Sequence, residues 1–163
     1  MNKQEVFNVL DKNVKSYNKA TLFALIFGLA ALAGGTAMFF AGSGDAKTWG
    51  AGLVGGLGAG LVILYVVRTI SKTIEKKTEH AKSLLNSDPG QLVWSYVFQQ
   101  TSKGATTITV IMNFRDGSSL VVGDESIPNK STTKFLNALK EINPAMHMGY
   151  SEEIEKAYKK KSL

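Results

Sequence analysis

From Ala20 to Gly42 the chain runs for 23 residues without one ionisable side chain. At ~1.5 Å per residue, a helix of that length crosses a ~30 Å hydrocarbon core with some tilt. The short polar link Ser43-Gly44-Asp45-Ala46-Lys47-Thr48 follows, and Trp49 to Val67 then adds 19 more uncharged residues. So short a link permits only an antiparallel pair, which predicts a hairpin of two transmembrane helices. Trp49 at one end of the second run, and Tyr65 with Arg68 at the other, are the residue types that sit at membrane interfaces.

Lysine and arginine near the ends of the spans set the expected orientation, because positive residues are retained in the cytoplasm. Lys3, Lys12, Lys15 and Lys19 precede the first span; Arg68, Lys72, Lys76, Lys77 and Lys82 follow the second; the link holds only Lys47. Both termini are therefore expected on the cytoplasmic side of an inner or plasma membrane. The rival is a cleaved signal peptide ending near Ala41-Gly42-Ser43, but its apolar core is longer than the usual ~7–15 residues. Even cleavage would leave the carboxy-terminal part cytoplasmic.

The second span contains the most specific motif in the chain. Gly52, Gly56 and Gly60 form GxxxGxxxG, a glycine zipper, and Ala51, Gly55 and Ala59 make a parallel row of small residues. Without side chains at every fourth position, two helix backbones can approach closely and gain dispersion contacts, the main attraction left where lipid is as apolar as protein. Helix one offers Ala24, Gly28, Ala31 and Gly35 as a partner surface. Packing within the hairpin and homo-oligomer formation through the row are both open at this point. The spans hold no Asp, Glu, Lys, Arg or His, the residues that normally mark ion pathways, so transport by one hairpin is not expected.

Outside the spans the composition changes. The flanks carry almost all of the 19 basic and 13 acidic residues and most of the net charge of +6. The excess lies mainly beside the spans, without the concentrated basic face and interleaved aromatics of a nucleic-acid binder. The absence of cysteine excludes disulfides, thiolate metal sites and a cysteine nucleophile. Four segments result: an amphipathic arm at 1–19, the hairpin at 20–68, a juxtamembrane helix at 69–87 and a cytoplasmic α+β domain at 88–163.

In the arm, Val6, Leu10, Val14 and Tyr17 recur at helical spacing with Phe7 beside them, which fits either an interfacial helix or one packed on the cytoplasmic domain. Helix is expected to continue from Thr69 to Leu85 and to stop at Asn86-Ser87-Asp88-Pro89-Gly90. Gln91 to Gln100, Thr106 to Phe114 and Leu120 to Val122 have strand character, with Arg115-Asp116-Gly117 as a hairpin turn, so a three-stranded antiparallel meander is predicted. Within the first strand, Trp94, Tyr96 and Phe98, or their alternating neighbours Val93 and Val97, are the candidate core. Ser131 is placed to cap a helix containing Phe135, Leu136, Leu139 and Ile142, and Ser151 to cap a second, with Lys159 to Lys161 complementing its far end. The arrangement has some resemblance to the membrane-attached pleckstrin-homology-like modules of bacteria. About 75 residues and three strands fall short of that barrel, so the resemblance implies an alternative fold and assigns no functional residue.

The candidate chemistry is sparse. His80 and His147 lack partners at metal-ligand spacing, and Met146-His147-Met148 offers soft ligands but reads more simply as core filler. The glycines of helix two lack the Gly-Lys-Ser/Thr ending of a nucleotide loop. Ser118, Ser119 and Ser126 have no nucleophile-elbow context, Asp116-Gly117 is explained by turn geometry, and Asp124-Glu125 reads as a solvated pair. No catalytic, metal or cofactor site is expected. Three functions are compatible: a nonenzymatic membrane-anchored interaction or scaffolding module that binds a cytoplasmic protein or its own copies; an anionic-lipid-binding module; and an oligomeric channel or membrane-perturbing protein.

Overall fold

A computed structural model describes residues 1–41, 45–102 and 104–160, and the side chains within these except 41–49 and 68–71. The chain divides into two compact units, Tyr17–Thr73 and a second made of Met1–Ser16 with Ile74–Leu163.

The first unit is helical. Helix α1 spans Lys3–Ala41, its early turns belonging to the second unit, and α2 spans Asp45–Ser71. Both are long and apolar enough to cross a membrane. Their large apolar side chains point outward: Phe27, Phe40, Leu53, Leu57 and Ile63 are all more than half exposed. The hydroxyls of Thr21 and Thr36 donate to the carbonyls of Tyr17 and Leu32 one turn earlier, so α1 satisfies these polar groups internally. The expected helical run from Thr69 to Leu85 is divided. Lys72, at φ 43°, interrupts it, α2 ends at Ser71, and α3 runs Thr73–Ser87.

The second unit is built on a mixed four-stranded sheet of order β3-β2-β1-β4: β1 Leu92–Ser102, β2 Ala105–Phe114, β3 Ser119–Gly123 and β4 His147–Met148. The first three are antiparallel neighbours, and Gly117, at φ 86°, supplies the turn between β2 and β3 that a side-chain-bearing residue would strain. The fourth strand was not anticipated. It pairs parallel to β1 at Trp94 and Ser95 only, a match too short to leave an alternating pattern. The sheet stays open, so the described residues do not form the barrel of the pleckstrin-homology-like alternative.

One face of the sheet carries the core. Val110, Met112, Phe114, Leu120 and Val122 pack with Phe135, Leu136 and Leu139 of α4, which spans Thr132–Ile142. Ala81 and Leu85 of α3 and Val6, Val9 and Leu10 of α1 complete the cluster. The first four turns of α1 thus pack on the domain, one of the two placements open from the sequence. Asn13 fixes that docking: its amide donates to Val121 O at 3.0 Å, and its oxygen accepts from the Gly123 N–H at 3.0 Å and the Ser126 hydroxyl at 3.4 Å. Lys82 of α3 bridges Asp11 of α1 and Glu79. Burial would lower its pKa, but these two carboxylates outweigh it and hold the ammonium above its ordinary value.

Ser131 and Ser151 stand at the cap positions of α4 and of α5, Glu152–Lys159, but neither hydroxyl makes a capping hydrogen bond. Ser131 has ψ 79° and follows Asn129 and Lys130 in left-handed conformations, a tight approach that differs from the extended geometry of a capping serine.

Candidate interaction surfaces

Within the hairpin, contact is made where only glycine fits. A Cβ on Gly58 would lie 2.7 Å from both Gly28 O and Leu32 N; one on Gly35 would lie 2.8 Å from Gly55 N and 3.1 Å from Ala51 O. One on Gly28 would meet Leu61 Cβ at 3.0 Å and Gly58 O at 3.1 Å. The seam therefore follows Gly28, Leu32 and Gly35 on α1 and Ala51, Gly55, Gly58 and Val62 on α2. Its steps of four and three residues are the coiled-coil period, which keeps one stripe facing the partner along both helices.

The GxxxGxxxG row lies elsewhere. A Cβ at Gly52, Gly56 or Gly60 would meet nothing within 4 Å, so, of the two packings left open by the sequence, the one within the hairpin is not made by these three glycines. Gly55, from the parallel row, does enter the seam, while Ala59 is half-buried. A step of four residues turns the helix by more than a full turn, so a strict fourfold row drifts off the stripe that a four-three alternation tracks.

The interface residues fall on both units. Tyr65 is half-buried, and Lys15, Lys19, Lys72, Lys76 and Lys77 are exposed. The side chains of Trp49 and Arg68 lie outside the described residues.

In the second unit, the face of the sheet opposite the core holds an aromatic cluster. A register irregularity between Leu92 and Trp94 lets Leu92 enter the core while Trp94 turns to this second face. Trp94 stacks on Tyr96 at 4.5 Å and meets Tyr150 and Tyr158 at 6.1 Å. Its indole N–H donates to Gly149 O at 2.7 Å, and Tyr158 of α5 donates to Ser118 O at 3.1 Å. Burial raises the pKa of Tyr96 and Tyr158, keeping both phenols protonated. Tyr150 donates to Glu155 at 2.6 Å, and that hydrogen bond also raises its pKa.

The cover supplied by α5 and Tyr150 ends there. Trp94 is buried, whereas Phe98 and Val121 on the same face are each 48 % exposed; Val93 is also buried, and Val97, opposite Val110 on the core face, is 37 % exposed. Trp94 and Val93 are thus buried as expected, though Trp94 packs on the face opposite the main core; Tyr96 is half-buried, and Phe98 and Val97 are exposed. Beyond them, Gln99–Ser102 and Ala105–Thr107 form an exposed two-stranded ribbon, joined across its strands by the Thr101 and Thr106 hydroxyls at 3.2 Å.

The polar residues singled out from the sequence are dispersed. His80 of α3 contacts Asp116 at 2.6 Å, tying α3 to the β2–β3 turn. Burial would raise the Asp116 carboxyl, but hydrogen bonds from Ser118 and His80 outweigh it and hold it at about 2. Met146 is buried in the core while His147 and Met148 are exposed on β4, so the Met-His-Met triplet does not converge. Asp124 pairs with Lys130 at 3.7 Å, and Ser126 is occupied with Asn13. Among the described residues, no group of three or more His, Asp or Glu could hold a metal. The α4 side of the unit also carries an open groove of about 480 Å³ lined by Glu5, Lys12, Ser131 and Lys134.

Compared with protein-family models, curated proteins and solved structures, the chain matches none.

Proposed function

We propose that this chain is a nonenzymatic membrane protein, anchored by the hairpin, whose second unit is a cytoplasmic interaction or scaffolding module. The anchoring rests on where the apolar side chains point. Phe27, Phe40, Leu53, Leu57 and Ile63 turn outward along two helices whose seam is lined by glycine. Water would penalise that surface at about 25 cal/mol per Å², whereas lipid accepts it. The excess of Lys and Arg outside the link puts both termini in the cytoplasm under the positive-inside rule.

The observation carrying the interaction reading is the half-covered second face of the sheet, where Phe98 and Val121 stay exposed beside the packed Trp94 cluster. Exposed aromatic surface next to a rigid aromatic platform is the composition enriched where proteins bind one another. A photo-crosslinking residue at Phe98, in the full-length protein in its native membrane, tests this. Discrete polypeptide adducts support a protein-binding face; adducts to lipid alone would favour the anionic-lipid module instead. The exposed Lys15, Lys19, Lys72, Lys76 and Lys77 motivate that second reading, at about 1 kcal/mol per charge near an anionic surface. An oligomeric channel built on the Gly52, Gly56 and Gly60 row is the third, and ion flux through liposomes containing the purified protein tests it.

A further inference from the structure

The longest strand of the sheet has one side largely without a neighbour. Strand β1 pairs with β2 along nearly its whole length, but on its other side β4 reaches only Trp94 and Ser95. From Tyr96 to Ser102, that edge has no sheet partner among the described residues.

Strand geometry tells which backbone groups the edge presents. Ser95 O accepts from the Gly149 N–H at 3.0 Å, so the odd-numbered residues of this stretch aim N–H and C=O toward the open side. Phe98 O, by contrast, accepts from the Thr109 hydroxyl on the β2 side. The N–H and C=O groups of Val97, Gln99 and Thr101 therefore form a row of six unpaired hydrogen-bonding positions. Natural sheets blunt such edges with lysine, proline, a bulge or a very short strand. The stretch Tyr-Val-Phe-Gln-Gln-Thr-Ser has no charge, no proline and no register irregularity, and it is rich in strand-forming residues.

We propose that this edge pairs antiparallel with the same edge of a second copy, so that one sheet runs through both. The inference rests on the reading of the second unit as an interaction module, and it names the partner. Two features argue for a second copy. The first is charge: an isologous strand pair brings the same stretch of both copies together about the two-fold axis, so like charges within it would repel, and here there are none. The second is length. Centred on Gln99, the pairing sets Val97 opposite Thr101 of the other copy and uses all six positions. The incoming strand then ends with Ser102 opposite Tyr96, one residue before Ser95, where β4 takes over. Phe98 faces Gln100 of the other copy, with the second Phe98 at the diagonal position, within reach of an aromatic side chain. Strand pairing would thereby cover the exposed Phe98 and Val97.

The chain has no cysteine, so introduced thiols report alone. The full-length protein carrying Gln99→Cys, oxidised in native membranes, should give a disulfide-linked dimer at least tenfold more abundant than Thr107→Cys, which is also exposed but lies on β2. In untagged-versus-tagged co-purification, Gln99→Lys should lose self-association, Gln99→Glu likewise, and a mixture of the two should restore it as a heterodimer; a fold defect would not be rescued by mixing. Equal cross-linking at Gln99→Cys and Thr107→Cys, absence of the dimer, or failure of the Lys/Glu mixture to restore association overturns the pairing. If Gln99→Cys yields no dimer while the probe at Phe98 captures a different polypeptide, self-pairing falls and the interaction reading stands. If both yield nothing, both fall.

Discussion

The two units of this chain use apolar residues in opposite ways. In the second unit, Phe114, Phe135, Leu139 and Met112 turn inward and are buried, while the charges lie outside. In the first, aromatic and aliphatic side chains turn outward, and the closest approach of the two helices is made at glycine. Water drives the former arrangement, since burying apolar area is favourable there. That drive is lost between helices in lipid, and close backbone approach takes its place. The contrast shows why bulk is valuable in one seam and harmful in the other, and it predicts opposite responses to the same kind of substitution.

The largest effect is expected from removing bulk in the second unit. Trp94→Ala should destabilise that unit by about 3–5 kcal/mol, because it empties the centre of the aromatic cluster and orphans Gly149 O. Limited proteolysis against temperature reads this on the full-length protein in detergent. The matching truncation Phe27→Ala in the hairpin should leave its melting unchanged, and a comparable loss there would break the comparison.

Adding bulk should have the reverse pattern. Gly58→Leu forces a side chain into Gly28 and Leu32 and should cost the hairpin about 1–3 kcal/mol or more, whereas Gly56→Leu points into open space and should leave the monomer as stable as before. Heat-induced loss of helicity in detergent distinguishes them. Loss of cross-linked oligomers from Gly56→Leu, with the monomer intact, would assign the zipper row to contacts between chains.

A smaller effect follows from Asn13. Asn13→Ala leaves Val121 O, the Gly123 N–H and the Ser126 hydroxyl without this partner, and should cost about 1–3 kcal/mol. Faster amide exchange in β3 would report it; unchanged exchange would mean that α1 is held by its apolar stripe alone.

The smallest effect is a pH dependence. The Asp116 carboxyl is held at about 2, below its ordinary 3.8, so it contributes stability above pH ~4 that is lost as pH falls toward 2. The side chain is partly exposed, which keeps the effect modest. Wild type should be more stable than Asp116→Asn at pH 6, and the two should converge by pH 2. A constant difference across that range would show that the carboxylate charge is not what matters.

Much of this was legible from local pattern. Twenty-three uncharged residues and a six-residue link announce the hairpin, and the alternation Ile108, Val110, Met112, Phe114 announces β2. Features that depend on tertiary contact were not legible. The row Gly52, Gly56, Gly60 and the seam residues Gly55 and Gly58 are equally glycine, and only the meeting of the two helices selects between fourfold steps and a four-three alternation. The stripe Val6, Leu10, Val14 suits lipid and protein alike; Asn13, polar yet buried, distinguishes them, and its role appears only once β3 is in place. Strand β4 is two residues long and exists because Trp94 and Ser95 lie beside it. In the second unit, the exposed Phe98 reads as a core residue in the sequence because alternation marks a face without saying what covers it.

On the reading proposed above, the two apolar helices span a membrane and leave the rest of the chain on one side. Single cysteines at Ala46, Ser16 and Ser151, probed in intact cells and in permeabilised ones with a membrane-impermeant maleimide, test it most directly. Ala46→Cys should label in intact cells, while Ser16→Cys and Ser151→Cys should label only after permeabilisation. That reading is contradicted if Ser16→Cys or Ser151→Cys labels from outside, or if the protein is released from the membrane fraction by alkaline carbonate.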